Sequence, residues 1–146
     1  MYILDTDHVS LWLENHPAVR DKAAEFEADL AITIVTVQEL FNGWIGRLND
    51  PAQANYQIRL YAKLSRVVAY LQEVKVLGLD EAADYCFRRM LTDHPQLRKN
   101  RVQKDMRIAA IALSLNATVV TRNRRDFEQV PGLAIVDWST TELMGK

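Results

Sequence analysis

Short apolar strands alternate with amphipathic helices along this chain, and this alternation restricts the fold more than any other feature. Strand-like segments rich in apolar and β-branched residues occur at 2–5, 30–34, 74–77 and 117–121, with a fifth candidate at 133–136. Helical spacing of apolar residues occurs at 10–15, 18–27, from Thr36 onward, and at 52–72, 80–94 and 104–115. Strands separated by helices favour a parallel sheet that is covered by helices on both faces. The sequence therefore predicts an α/β fold.

Bulk composition narrows the classes of protein to consider. The 146 residues suggest one domain spanning 1–146, and 49% hydrophobic residues suffice for a core. The net charge of -1 excludes a global attraction to nucleic acid or membrane. Cys86 is the single cysteine, so an internal disulfide is excluded. No apolar run approaches ~18 residues and no targeting signal is recognisable, so we expect a cytoplasmic protein without a membrane span.

Acidic residues fall where the predicted strands end. Asp5 and Asp7 follow the first strand, and Glu39 lies in what is predicted to be the first turn of the helix after the second strand. Asp105 begins the helix that precedes the fourth strand, and Asp126 follows that strand after a short loop. The carboxyl ends of parallel strands share one edge of the sheet, where α/β proteins bind ligands. We therefore expect these carboxylates to lie close together.

Each acid also has a purely structural interpretation. Thr36 and Glu39 fit a capping box, in which the glutamate bonds the backbone at Thr36. Asp105 suits the positive end of a helix dipole, and Asp126 could be a simple N-cap. The aspartates after the first strand could close an Asx-turn.

Taken together, the acids favour a metal site. Several carboxylates in one partly dry cleft repel one another, and a bound cation relieves that repulsion. An all-oxygen ligand set suits Mg²⁺ or Mn²⁺. Such ions activate water and neutralise charge on a phosphate, which points to phosphodiester hydrolysis. His16 and His94 precede prolines and are interpreted as loop residues, whereas His8 adjoins Asp7 and lies near the predicted cleft.

Basic residues flank the predicted acidic edge in two runs. One run precedes and enters the helix that carries Asp105, and the other surrounds Asp126. Clusters of this kind can follow a phosphate backbone while metals act on one linkage. The candidate RNA-binding residues are Arg98, Lys99, Arg101, Lys104, Arg122, Arg124 and Arg125.

The segments LDTD, TVQEL, QKDMRIAAIAL and TRNRRDFEQVPGLAIVDW, in this order and spacing, resemble PIN-domain ribonucleases, most closely the VapC toxins of toxin–antitoxin pairs. The resemblance covers essentially the whole chain. It implies a three-layer α/β/α sandwich with a parallel five-stranded sheet. It also implies a metal-dependent endoribonuclease that acts as the toxin of such a pair.

The resemblance assigns roles to individual residues. It implies Asp5, Glu39, Asp105 and Asp126 as catalytic acids, with Asp5, Asp105 and Asp126 as ligands of Mg²⁺ or Mn²⁺. Many relatives carry Asp at the position of Asn123, and others use the acid three residues later, which is Asp126 here. Supporting positions are Thr6, Asp7, Thr121 and Asn123.

The resemblance also implies partners: an RNA substrate, a cognate antitoxin whose C-terminal segment wraps the toxin, and a second copy of the chain in a homodimer. The aromatic and apolar residues available for such contacts are Phe41, Trp44, Ile45, Tyr56, Tyr61 and Tyr70, each of which could instead belong to the core.

Two alternatives to the nuclease stay open at this point. A haloacid-dehalogenase-like phosphatase would use Asp5 as nucleophile and Asp7 as acid/base. A catalytically inactive PIN-like domain would only bind a partner. The amide of Asn123, at a position where many relatives carry Asp, is the feature that is consistent with this alternative.

Overall fold

A parallel five-stranded sheet forms the middle layer of the protein in the computed structural model, which describes residues 1–140. The strands are β1 (Tyr2–Leu4), β2 (Leu30–Thr33), β3 (Lys75–Leu77), β4 (Thr118–Val120) and β5 (Ala134–Val136). They lie in the order β3-β2-β1-β4-β5, and each neighbouring pair is parallel. The predicted parallel sheet, including its fifth strand, is confirmed.

Helices cover both faces of this sheet. The α-helices of the described residues are α1 (Thr6–Leu13), α2 (Pro17–Glu25), α3 (Ile34–Leu48), α4 (Gln57–Glu73), α5 (Glu81–Asp93), α6 (Gln103–Ser114) and α7 (Arg124–Phe127). Short 3₁₀ helices occur at Glu27–Asp29, Pro51–Tyr56, Pro95–Arg98 and Asn100–Val102. Among residues 1–140, no helix combines the length and apolar character needed to cross a bilayer.

The two faces of the sheet carry separate cores. Side chains alternate in direction along a strand, so neighbouring residues of β1 point to opposite faces. Ile3 packs with α5, α6 and α7, whereas Leu4 packs with α1, α2, α3 and α4. In β4, Val119 joins the first of these cores and Val120 joins the second. This division confirms the predicted three-layer sandwich.

Several element boundaries differ from the sequence prediction. The first helix begins at Thr6 rather than Ser10, because Asp5 accepts a hydrogen bond from the Thr6 amide and ends the strand there. The segment predicted as one helix over 52–72 is divided into a 3₁₀ helix and α4. Tyr56, which could have belonged to the core, is exposed, and so is Val68 of α4.

The capping-box interpretation of α3 is wrong. The N-cap is Thr33, whose hydroxyl accepts from the Thr36 amide, so the helix begins three residues earlier along the chain than predicted. Glu39 therefore lies beyond the first turn and does not cap the backbone at Thr36. Thr33 ends its strand in extended conformation, which makes it the natural cap.

The sheet order places a ligand-binding crevice next to β1. The chain runs outward from β1 to β2 and β3 on one side, and to β4 and β5 on the other. Such a reversal opens a crevice at the carboxyl ends of the two strands that diverge. Asp5 follows β1 and Thr121 follows β4, so both residues lie at this crevice.

The N-cap of α5 is Asp80, and it provides a test of the fold away from the acids described below. Asp80 is exposed, and its Oδ1 accepts from the Ala83 amide at 2.9 Å. We expect Asp80→Ala to lower the free energy of unfolding by about 0.5–2 kcal/mol, and Asp80→Ser to change it by only a few tenths. Urea denaturation of both variants measures the difference, and equal losses would contradict the cap.

Candidate active site

Asp5 is the most enclosed acid of the crevice. Its side chain is only 5% exposed. Oδ1 accepts from the Thr6 amide at 2.5 Å, and Oδ2 accepts from the Thr121 hydroxyl at 2.7 Å. Burial, followed by the charge of Asp7 and then that of Asp105, raises the pKa of Asp5 to about 7. The carboxylate is thus fixed in direction, yet its charge is not balanced by a cation.

The hydroxyl groups of Thr36 and Thr6 form a chain of hydrogen bonds that ends at Glu39. Thr6 Oγ1 donates to Glu39 Oε1 at 2.9 Å and lies 3.0 Å from Thr36 Oγ1. The single hydroxyl hydrogen of Thr6 is used in the hydrogen bond to Glu39, so Thr36 must be the donor in the second contact. Thr36 is fully buried, so this network holds Glu39 against the crevice. Sequence reasoning took Thr36 for a cap and missed this role.

Asn123 bridges two further acids. Its Nδ2 donates to Asp105 Oδ2 and to Asp126 Oδ2, both at 3.0 Å. Its backbone N–H donates to Thr121 Oγ1 at 2.9 Å, which ties the bridge to Asp5's partner. Burial and the charges of Glu39, Asp126 and Asp7 raise the pKa of Asp105 to about 6. Asn123 is also the N-cap of α7, so the alternative that Asp126 is that cap is wrong.

Asp126 has a different electrostatic environment from Asp5 and Asp105. Its Oδ2 accepts from Arg101 Nη1 at 3.0 Å, and this pairing above all keeps the pKa of Asp126 below its ordinary value. The residue is 7% exposed, and its Oδ1 is buried without a hydrogen-bond partner among residues 1–140. Arg101 was predicted to bind RNA, and its pairing with Asp126 was not foreseen.

Asp7 completes the acidic group from the rim of the crevice. Its Oδ1 lies 2.7 Å from His8 Nδ1, and its Oδ2 accepts from the Arg122 amide at 3.3 Å. Its charge contributes to the raised pKa of both Asp5 and Asp105. His8 is fully buried rather than open to the cleft.

The basic residues predicted to bind RNA are all exposed, but some of them already make hydrogen bonds or ion pairs within the protein. Arg98 Nε donates to the Leu91 carbonyl at 2.8 Å, and Arg124 pairs with Glu128 at 3.5 Å. Within residues 1–140, no ion pair is formed by Lys99, Lys104, Arg122 or Arg125. Both runs lie at the carboxyl edge, one entering α6 and the other following β4.

The donor set of the crevice fits a hard divalent cation. The side-chain groups that converge are carboxylates, hydroxyls and an amide, and Asp5 and Asp105 repel each other in the absence of a positive charge between them. No group of three His, Cys, Asp or Glu residues within 1–140 forms a ready-made cage. Mg²⁺ commonly takes one or two carboxylates and keeps several waters, so a cage of three is not required.

A groove of about 430 Å³ opens from this crevice between α1, α3 and α4. Thr6 and Glu39 of the acidic site line this groove, and so do Trp44, Lys63 and Arg66. The other aromatic candidates divide: Tyr56 and Tyr61 are exposed, as is Ile45. Phe41 is partly buried, and Tyr70 is a core residue whose ring lies 4.6 Å from the Trp12 ring at a tilted angle.

Comparison with known proteins finds a family match and sequence relatives that cover nearly the whole chain. The PIN domain family model matches residues 2–133. The chain is 28% identical to the tRNA(fMet)-specific endonuclease VapC of Shigella flexneri, over 94% of this chain and 98% of that protein. It is 25% identical to ribonuclease VapC1 of Haemophilus influenzae strain R2866, over 95% of this chain and 98% of that protein.

Two solved structures illustrate the likeness of fold. DNA-bound VapBC from Salmonella typhimurium matches with a TM-score of 0.76 and 25% identity, over 94% of this chain and 97% of that chain. FitAcB from Neisseria gonorrhoeae matches with a TM-score of 0.70 and 22% identity, over 94% and 97% of the respective chains.

The raised pKa of Asp5 predicts an unusual pH dependence of stability without metal. Because its pKa is about 7 when folded and 3.8 as a model group, the native state binds its proton more tightly than the unfolded state does. This stabilisation is full below about pH 4 and is lost as pH rises through 7. In EDTA, we expect Asp5→Asn to be more stable than the wild type at pH 8, by on the order of 2 kcal/mol.

Thermal or urea unfolding between pH 5 and pH 8 measures this effect. Asp80→Asn is the matched control, because Asp80 is an exposed carboxylate whose hydrogen bond caps α5 and does not involve the acids of the crevice. The control should retain the wild-type slope. Parallel curves for the wild type and Asp5→Asn would show that Asp5 is not destabilised by ionisation.

Proposed function

The chain belongs to the PIN-domain family, and on that premise we propose that it is a metal-dependent endoribonuclease that hydrolyses RNA phosphodiester bonds as the toxin of a toxin–antitoxin pair. The observation that carries the proposal is the set of acids at one sheet edge, in which burial and neighbouring carboxylates raise the pKa of Asp5 and of Asp105 while no cation compensates their charge. Membership of a nuclease family of this kind implies a divalent metal ion. We further propose that residues 1–146 form a single domain.

The ion is Mg²⁺ or Mn²⁺ in this proposal, and Asp5 and Asp105 are its principal ligands. When bound, it lowers the pKa of water and neutralises charge on the phosphate. Each oxygen of Asp5 accepts one hydrogen bond from the protein and keeps a lone pair for ligation. Asn123 orients Asp105 through its amide. That Asp126 is a third ligand stays a prediction: Arg101 and Asn123 occupy its Oδ2, whereas its Oδ1 has no hydrogen-bond partner within residues 1–140.

Glu39 acts beside these ligands. The Thr36–Thr6 hydroxyl chain holds its carboxylate at the crevice, where it can orient the attacking water or accept its proton.

Hydrolysis forms a bond from the water oxygen to phosphorus and breaks the bond from phosphorus to one ribose oxygen. That oxygen then takes a proton, so a phosphomonoester end and a hydroxyl end result.

The substrate and the antitoxin are proposed as partners on adjoining surfaces. Arg122 and Arg125 lie beside the acids, are exposed and have no ion pair within residues 1–140, so they are suited to RNA phosphates. The groove next to Glu39 is lined by Trp44 and suits a segment of a cognate antitoxin. The VapBC structures support such a partner. A homodimer is proposed from the family likeness alone.

Asp7 does not suit the phosphatase alternative. An acid/base at this position needs an oxygen free to exchange a proton with substrate, but both Asp7 oxygens contact groups of the protein, at His8 and at the Arg122 amide. Family membership points the same way.

The nuclease proposal predicts metal-dependent RNA cleavage that Asp5 and Asp105 control. We expect EDTA to abolish cleavage, and Asp5→Asn and Asp105→Asn to lower its rate by roughly 100-fold or more, because each removes negative charge from the ion's binding site. Asp80→Asn should cleave at the wild-type rate. Cleavage of a labelled RNA pool with added Mn²⁺ measures the rates, and circular dichroism checks folding.

Calorimetric titration with Mn²⁺ separates the inactive partner-binding alternative. Under the nuclease proposal, the wild type binds Mn²⁺ and the Asp105→Asn variant binds it more weakly. A wild type without Mn²⁺ binding or cleavage would favour the inactive domain. Full cleavage by either aspartate variant would overturn the assigned roles.

The RNA-binding role of the basic residues is tested by salt dependence. Each phosphate contact on single-stranded RNA contributes roughly 0.7 to the log–log salt slope, so Arg122→Gln with Arg125→Gln should reduce the slope of binding by roughly 1.4. The control is Arg88→Gln, an exposed arginine on α5 that pairs with Asp84. RNA binding to the Asp105→Asn protein at several salt concentrations provides the measurement, and an unchanged slope would exclude both arginines.

A further inference from the structure

His8 is a buried imidazole that the proposed reaction does not use. It is fully buried, and it lies between the first turn of α1 and the segment after β5. Both ring nitrogens contact polar groups. Nδ1 is 2.7 Å from Asp7 Oδ1, and Nε2 is 3.2 Å from the backbone nitrogen of Trp138.

The Trp138 contact fixes which ring nitrogen carries the proton. A backbone N–H can only donate, so Nε2 must accept and carries no hydrogen. The neutral ring then has its proton on Nδ1, which donates to Asp7 Oδ1. Asp137 Oδ1 is 3.4 Å from Nε2, but it already accepts from the Ser139 amide and hydroxyl at 2.7 and 2.6 Å.

Aromatic packing holds the Trp138 backbone in place. The Trp138 ring lies 5.3 Å from the Tyr2 ring and 5.7 Å from the Phe26 ring, and only 5% of the residue is exposed. Asp7, at the other end, also accepts from the Arg122 amide, which belongs to the loop that leads to Asn123. A continuous set of contacts therefore runs from the aromatic cluster to the acidic crevice.

We propose that His8 is a positioning residue: its Nδ1–H, fixed by the Trp138 amide, holds the Asp7 carboxylate against the crevice and the Arg122 loop. This inference rests on the proposed nuclease function for its activity readout. Hydrogen-bond partners behind a metal site orient its acids, and their loss commonly weakens metal affinity about 10–100-fold.

A matched pair of variants separates the two ends of the ring. His8→Asn places an amide N–H near the position of Nδ1, so it can still donate to Asp7, but it is too short to reach Trp138. His8→Gln places an amide oxygen near the position of Nε2, so it can accept from Trp138, but it offers no donor to Asp7. Both variants lose one buried contact, so a general loss of packing affects both.

We expect His8→Asn to keep Mn²⁺ affinity and kcat near wild type, and His8→Gln to weaken Mn²⁺ binding about tenfold or more. In an Asp7→Ala background, the two variants should become equal, because His8 acts through Asp7. Equal behaviour in the wild-type background, or a difference that persists without Asp7, would overturn the proposal. A wild type that neither binds Mn²⁺ nor cleaves RNA would instead overturn the nuclease function.

A measurement on the unmodified protein keeps the test valid if either variant does not fold. Long-range ¹H–¹⁵N correlation spectra distinguish a protonated from an unprotonated ring nitrogen. We expect the His8 spectrum to show the proton on Nδ1 at pH 7. A proton on Nε2 would contradict the contact with Trp138 and with it the hold on Asp7.

Discussion

Repulsion among carboxylates at one edge of a parallel sheet is the constraint on which the rest of this structure depends. The sheet brings Asp5 to the end of β1, and the start of α6 brings Asp105 to the same edge. Burial makes each charge costly, and proximity adds to that cost, so both pKa values are raised. A fold selected only for stability would separate or neutralise these groups. Their retention at the topological reversal of the sheet is the physical reason for assigning a cation-dependent function to this edge.

Neutral donors allow the protein to fold around this repulsion. The Thr121 hydroxyl and the Thr6 amide bind Asp5, and the Asn123 amide binds Asp105 and Asp126 together. Such donors direct the oxygens without cancelling their charge, which leaves the attraction for a cation intact. Arg101 is different, since it pairs with Asp126 and lowers the pKa of that residue. The edge thus contains one carboxylate neutralised within the protein and others that are not.

The sequence predicted most of the fold because the relevant signals are local. Strand segments with both faces covered are continuously apolar, and the Asp80 cap of α5 follows from side-chain chemistry. The misplaced starts of α1 and α3 have the same cause. Asp5 and Thr33 end a strand and begin a helix without an intervening loop, so the periodic pattern identifies the helix too late. The sequence placed the acids at one edge, but long-range contacts such as Arg101 with Asp126, or His8 with Trp138, depend on packing between distant segments.

Asn123 shows how a single position sets the charge of the crevice. Its amide nitrogen lies 3.0 Å from an oxygen of Asp105 and 3.0 Å from an oxygen of Asp126, and it donates a hydrogen bond to each. An aspartate here would present a third carboxylate to two others and could donate to neither when ionised. Such a site would require a cation to be stable, whereas this chain uses the amide to join the two acids in the absence of one. The cost is one fewer negative ligand, so the attraction for the ion rests on Asp5, Asp7, Asp105 and Glu39, the acids of the crevice that no arginine or lysine within residues 1–140 pairs with.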